Sequence, residues 1–232
     1  TPQEICLTRP FYPAKPGGAR RQHLVNGLGL DAFEELYRAC ERGRPERRAA
    51  CPLFWTLGAQ QAGKAAICGW RDVLAPGVRD PALGLALWPF NGRLMDLAQP
   101  GRLVVAETYP TEYHARLDPR GRPLRKRLAQ ERRQWARRVL AAGALPELRF
   151  APGLEERFLD GFGSTSTGED DFDALSGLLG MLAVVLGRLQ VGEPSEPWVR
   201  QIEGWILGLQ ISTDIQENSG IPAEDDIKRG LA

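Results

Sequence analysis

Nine consecutive residues, Arg102-Leu103-Val104-Val105-Ala106-Glu107-Thr108-Tyr109-Pro110, limit what this chain can fold into more than any other stretch. Leu103 to Ala106 is a short continuous apolar run, β-branched at its centre and preceded by the turn dipeptide Pro100-Gly101. That pattern predicts a strand buried on both faces, of the kind found inside a mixed or parallel sheet. Glu107 puts a carboxylate at the strand's end, and Pro110 keeps the ladder from continuing. A charged group there costs free energy unless it is paired or coordinated. The same place is where an open α/β sheet sets its ligands. The bland alternative is a solvated glutamate paired with one of the chain's many arginines.

A second buried strand is expected over Leu83 to Trp88, ended by Pro89. A short helix over Asn91 to Ala98 and the turn Gln99-Pro100-Gly101 separate the two strands, which fits a β-α-β unit. The fold class is therefore α/β. With 232 residues and no obvious linker, one domain is expected over residues 1–210, followed by a polar segment over 211–232. No apolar run approaches the ~18 residues of a membrane span. Pro2, Glu4, Arg9 and Pro10 interrupt any signal-peptide core. The four cysteines form no CxxC, and neither histidine lies near one, which argues against structural zinc and for a reduced, cytoplasmic setting.

Helical patterning marks several further segments. Asp31 is a natural N-cap with Glu34 as its capping-box partner. Residues 65–74 read as a helix with Trp70, Val73 and Leu74 toward the core, and Thr111 can cap a short helix through Leu117. An arginine-rich helix is expected over Leu124 to Ala142, with Leu128, Trp135, Val139 and Leu140 as its apolar stripe and Gly143 as its stop. A flexible loop over Gly161 to Gly168 should precede a helix opened by Asp170, Asp171 and Asp173, apolar from Ala174 to Leu189. Asp170 and Asp173 share a face that Gly177 and Gly180 continue, so the helix could lie close against the sheet and bring both carboxylates toward the strand ends. Acids in a first turn also suit the helix dipole with no other purpose. Glu203 is one more acidic candidate, whose commonest fate is a surface pair.

Net charge is only +1, yet its distribution is uneven. Arg116, Arg120, Arg122, Arg125, Lys126, Arg127, Arg132, Arg133, Arg137 and Arg138 face only Asp118 and Glu131 between positions 116 and 138. Such a basic segment is a footprint for nucleic acid, or else a solvated helix face. Gly58 to Lys64 spells G-x-x-x-x-G-K, but Ala65 and Ala66 follow where a magnesium-binding hydroxyl is needed. A nucleotide triphosphatase is therefore rejected, and Lys64 remains as a positive group for a site.

Several segments together resemble an uncharacterised family of predicted nucleases with a ribonuclease H-like fold. They are Pro52 to Leu57 with Gly63-Lys64-Ala65-Ala66, Leu87 to Gly92, and Val105 to Pro110. Lys126-Arg127, Asp170 to Leu175 and Glu203 to Ile206 complete the set, in the expected order, across roughly Phe11 to Gln210. The resemblance implies a central mixed sheet flanked by helices. It also implies a two-metal carboxylate site, with magnesium or manganese held by Glu107 from the strand and Asp170 and Asp173 from the helix, which together form the catalytic set. Lys64, Lys126 and Arg127 would contact substrate phosphates.

One departure stands out. The fold normally opens with a hairpin whose first strand carries an essential Asp, and no such stretch precedes Phe11. The chain is a truncated portion, or part of the protein lies outside it, or this lineage lacks that carboxylate. Two main expectations follow: a metal-dependent nuclease that uses Glu107, Asp170 and Asp173, or a non-catalytic nucleic-acid-binding or assembly domain that uses the basic segment. A small-molecule enzyme of the doubly wound type ranks last, because the chain has no glycine-rich dinucleotide fingerprint.

Overall fold

The two apolar runs do form strands, and they pair in parallel. In the computed structural model, which describes residues 21–210 except 45, 46, 54, 56–61 and 144, β1 (Leu85–Trp88) lies beside β2 (Leu103–Ala106). The register is Leu85↔Leu103, Ala86↔Val104, Leu87↔Val105 and Trp88↔Ala106. The proline-rich opening, the start of the G-x-x-x-x-G-K stretch and the polar segment 211–232 lie outside the described residues. So does the question of a first hairpin. Among the described residues the sheet has these two strands. It is extended by a parallel bridge between Glu107 and Ile206, where Leu207 N–H donates to the Glu107 carbonyl at 2.9 Å. The architecture is mixed α/β.

β2 is not buried on both faces. Leu103 is exposed and Val104 to Ala106 are half-buried, whereas β1 alternates with Ala86 and Trp88 inside. β1 is reached from a continuous helical stretch: α2 (Ala62–Gly69), a wider π turn over Trp70–Leu74, and α3 (Ala75–Arg79). That turn leaves Trp70 47% and Val73 64% exposed, contrary to their expected inward position. The helix meets the sheet through Gly77 instead, where an added Cβ would lie 2.9 Å from Leu85 Cδ1. Upstream, α1 (Arg21–Leu28) precedes a 3₁₀ turn over Phe33–Leu36. Its N-cap is Ala32 rather than Asp31, and Glu35 accepts from the Ala32 N–H at 3.0 Å.

The main core is helical and aromatic. α4 (Leu94–Leu97) joins the strands; α5 (Pro110–Leu117), α6 (Ala129–Ala141), α7 (Leu154–Leu159) and α8 (Ser166–Val185) follow. Pro110 occupies the first turn of α5, where its missing N–H costs no bond, so Tyr109 rather than Thr111 is the cap. Trp135, Phe158 and Phe172 pack edge-to-face and stacked at centroid distances of 5.3–6.2 Å. α8 lies against α5, not against the sheet as the small residues had led one to expect. A Cβ at Gly177 would lie 3.4 Å from Pro110 Cγ, and one at Gly180 would lie 2.0 Å from Tyr113 Cγ.

Two helix starts differ from expectation for visible reasons. α6 begins at Ala129 because the carbonyl of Lys126 is taken by the buried Arg132 Nη1 at 2.6 Å; Leu128, expected in the stripe, is exposed. α8 begins at Ser166 because Thr165 caps it, its hydroxyl accepting from Gly168 N–H at 3.4 Å. Asp170 and Asp173 therefore sit beyond the first turn, where the helix dipole no longer accounts for them. Among the described residues no helix is long and apolar enough to cross a membrane.

Candidate functional site

A cleft of about 570 Å³ opens beyond the carboxyl ends of β1 and β2. Its walls include Trp70 from the π turn, Phe90 after β1, and Glu107 and Tyr109 after β2, with Arg38, Glu41 and Glu203 completing the polar side. The backbone of Glu107 is fixed by the bridge to Ile206, and its side chain is 45% exposed.

Arg38 organises the polar side. Its Nη1 and Nη2 donate to the two carboxylate oxygens of Glu107 at 2.8 and 2.7 Å, and Nη1 also reaches the Glu203 carbonyl at 3.2 Å. Its Nε donates to Glu41 Oε1 at 2.9 Å, while its backbone N–H donates to the other Glu41 oxygen at 2.9 Å. The next amide, Ala39 N–H, donates to Glu203 Oε2 at 2.8 Å. Burial disfavours charge on Arg38, but the hydrogen bonds to Glu107 and the surrounding acids outweigh it and raise its pKa. Burial pushes the carboxyl groups of Glu41 and Glu203 upward, against the pull of Arg38. Burial also lifts the neighbouring Cys40 thiol to about 12, so it is not a nucleophile at neutral pH.

The acids of α8 form a second cluster. Asp173 is ion-paired with Lys126, which also lies 3.5 Å from Glu169. Burial raises the Asp173 carboxyl despite this partner, and its Oδ1 is buried without a hydrogen-bond partner among the described residues. Asp170 points to solvent. Beneath, His114 Nε2 lies 3.2 Å from Ser176 Oγ; burial, helped by Lys126, depresses the imidazole to about 4. Gly177, one turn beyond Asp173, meets Thr108 and Pro110 just after β2.

The expected residues are thus divided. Glu107 belongs to the cleft with Arg38; Asp173 of α8 is brought together with Lys126 from the segment before α6, with Asp170 nearby in sequence but exposed. Lys64 on α2 and Arg127 before α6 are exposed. Among the described residues no group of three or more His, Cys, Asp or Glu side chains is placed to hold a metal ion. Arg38 and Glu41 escaped the sequence reading. The only signal for them was a charge pair three apart in a short turn, a pattern common on surfaces. Glu203, weighed as a surface pair, lies in the cleft.

Most of the basic segment is engaged by partners within the chain, although Arg120 and Arg125 stay exposed. Arg132 is 1% exposed and donates to the carbonyls of Gly161, Lys126 and Gly163. Arg116 donates to the Gly208 carbonyl. Arg125 pairs with Glu131, Arg133 with Asp160, and Arg138 with the buried Asp118, which also has Arg120 at 3.7 Å. Arg122, Arg127 and Arg137 remain exposed, with no ion pair among the described residues. The sequence shows neighbours in the chain; these acids and carbonyls come mostly from elsewhere in it.

Compared with family models, curated proteins and solved structures, the chain matches none.

Proposed function

We propose that this chain is a phosphodiester hydrolase of the nuclease class, on a ribonuclease H-like arrangement, working in the cleft beyond the carboxyl ends of β1 and β2. The observation that carries this reading is the position of Glu107: a half-exposed carboxylate directly after a parallel strand, at a cleft large enough for a small ligand. Arg38 supports it, because a guanidinium fork binds carboxylate and phosphate alike. A phosphate oxygen that displaces Glu107 from Arg38 leaves the carboxylate free to accept a proton from an attacking water.

Magnesium or manganese is the ion such a reaction calls for, a hard cation that takes oxygen ligands. Asp173 Oδ1 has the right donor chemistry, a buried acid oxygen with no hydrogen-bond partner among the described residues. The described residues do not complete a centre, since Glu107 is held by Arg38 and Asp173 by Lys126. A second reading, nucleic-acid binding without catalysis, rests on the exposed Arg122, Arg127 and Arg137.

Calorimetric titration of magnesium and manganese into the wild type and Glu107→Gln, paired with cleavage assays on labelled DNA and RNA, tests the proposal. Cleavage that needs the divalent ion and vanishes in Glu107→Gln is the expected result. Salt-sensitive binding with no ion uptake and no cleavage would leave the second reading in its place.

A further inference from the structure

We infer that the cleft receives the unpaired base of a single-stranded nucleic acid, so that the substrate is single-stranded where it is cut; this rests on the hydrolase reading. Three observations converge on it. The first is size: a cleft of about 570 Å³ is that of a single small molecule, not of a helix with paired strands.

The second is the wall. Trp70, Phe90 and Tyr109 come from three separate segments and line the same cleft as Glu107. Trp70 and Phe90 keep 47% and 38% of their surface exposed, although large aromatic side chains gain by burial. Trp70 is held outward by the π turn, and Phe90 is backed by Gly204, where a Cβ would lie 2.8 Å from its Cζ. Exposed rings on fixed supports are what base stacking uses, and stacking tolerates any base because each has a π-face.

The third is charge. Glu41, Glu107 and Glu203 outnumber Arg38 along the cleft. An acidic wall leaves Arg38, among the described residues, as its one partner for a phosphate, and the uncharged base is the part of a nucleotide that it admits. A duplex presents its phosphates and hides its bases, so the same wall disfavours it.

Fluorescence anisotropy with a labelled oligothymidylate and a labelled duplex of equal length, in EDTA and with the full chain, tests this. The single strand should bind more tightly than the duplex. Trp70→Ala should weaken single-strand binding about 5- to 100-fold, with Trp70→Phe restoring most of it. Trp70 is half-exposed, so its removal leaves the fold intact, which circular dichroism verifies. Equal binding by Trp70→Ala and wild type, or a preference for the duplex, would overturn the inference. Single-strand binding with no cleavage in magnesium or manganese would sink the hydrolase reading and, with it, the cutting site, and would keep only the base-binding cleft. Duplex cleavage unaffected by Trp70→Ala would do the reverse.

Discussion

Arg38 lays both terminal nitrogens on the two carboxylate oxygens of Glu107, 69 residues away in sequence, at 2.8 and 2.7 Å. Through the same guanidinium it holds Glu41 and the Glu203 carbonyl, so one side chain ties the turn around residue 38 to the end of β2 and to the segment beside it. The half-exposed acid at the strand end is thereby paired within the chain. The arrangement also sets unequal consequences for its two partners.

Arg38→Met should destabilise the protein by about 2–4 kcal/mol, because Glu41, 3% exposed, loses its charged partner. Glu107→Gln should cost at most about 1 kcal/mol, since that carboxylate is half solvated. Arg38→Lys should fall between them, because an ammonium cannot span both oxygens. Urea denaturation at constant m-value measures all three. Equally small effects of Arg38→Met and Glu107→Gln would remove Arg38 from the centre of the site.

At Gly180 α8 comes into close contact with α5. A Cβ there would overlap the ring of Tyr113, which is fully buried and donates its hydroxyl to the Leu207 carbonyl at 2.5 Å. Gly180→Ala should cost about 3 kcal/mol or prevent folding. Gly69→Ala, in helical backbone with nothing among the described residues within 4 Å of the new methyl, should instead stabilise by about 0.5–1 kcal/mol. Thermal melting of the two variants separates close packing from helix propensity.

His114 makes stability depend on pH in a known direction. Its folded value of about 4 lies below the ordinary 6.5, so between those limits the unfolded chain binds the extra proton. Stability from this group is complete above pH 6.5 and falls as pH drops toward 4, by on the order of 3 kcal/mol. His114→Gln should flatten that part of the profile. A profile with the same slope in the variant would assign the acid sensitivity to other groups.

The basic segment should bind duplex DNA with a shallow salt dependence. If only Arg122, Arg127 and Arg137 are available to phosphates, the slope of log K against log salt is about −3, not the value near −9 that ten contacts would produce. Replacing those three arginines by glutamine should abolish the dependence. A steep slope in the wild type would mean that the internal ion pairs of α6 open on binding.

How far the sequence reached can be judged on particular elements. Leu103 to Ala106 is a strand because a continuous apolar run between turn signals leaves few local alternatives. Gly143 ends the arginine-rich helix with φ +60, a conformation that few other residues adopt without strain. Gly177 and Gly180 do mark a close approach, although the sequence could not name the element that approaches.

By itself the sequence determined the α/β pattern, the carboxylate at the end of β2 and the small-residue face of α8, since each follows from bonds and sterics within a few residues. Tertiary structure alone decided which acid meets which base. It sent Arg38 to Glu107, Lys126 to Asp173 and Arg132 to three loop carbonyls. It also turned Trp70 out to a cleft wall. The reason is physical: a charged side chain is satisfied by whatever partner the fold brings within about 3 Å, and that distance bears no relation to separation along the chain.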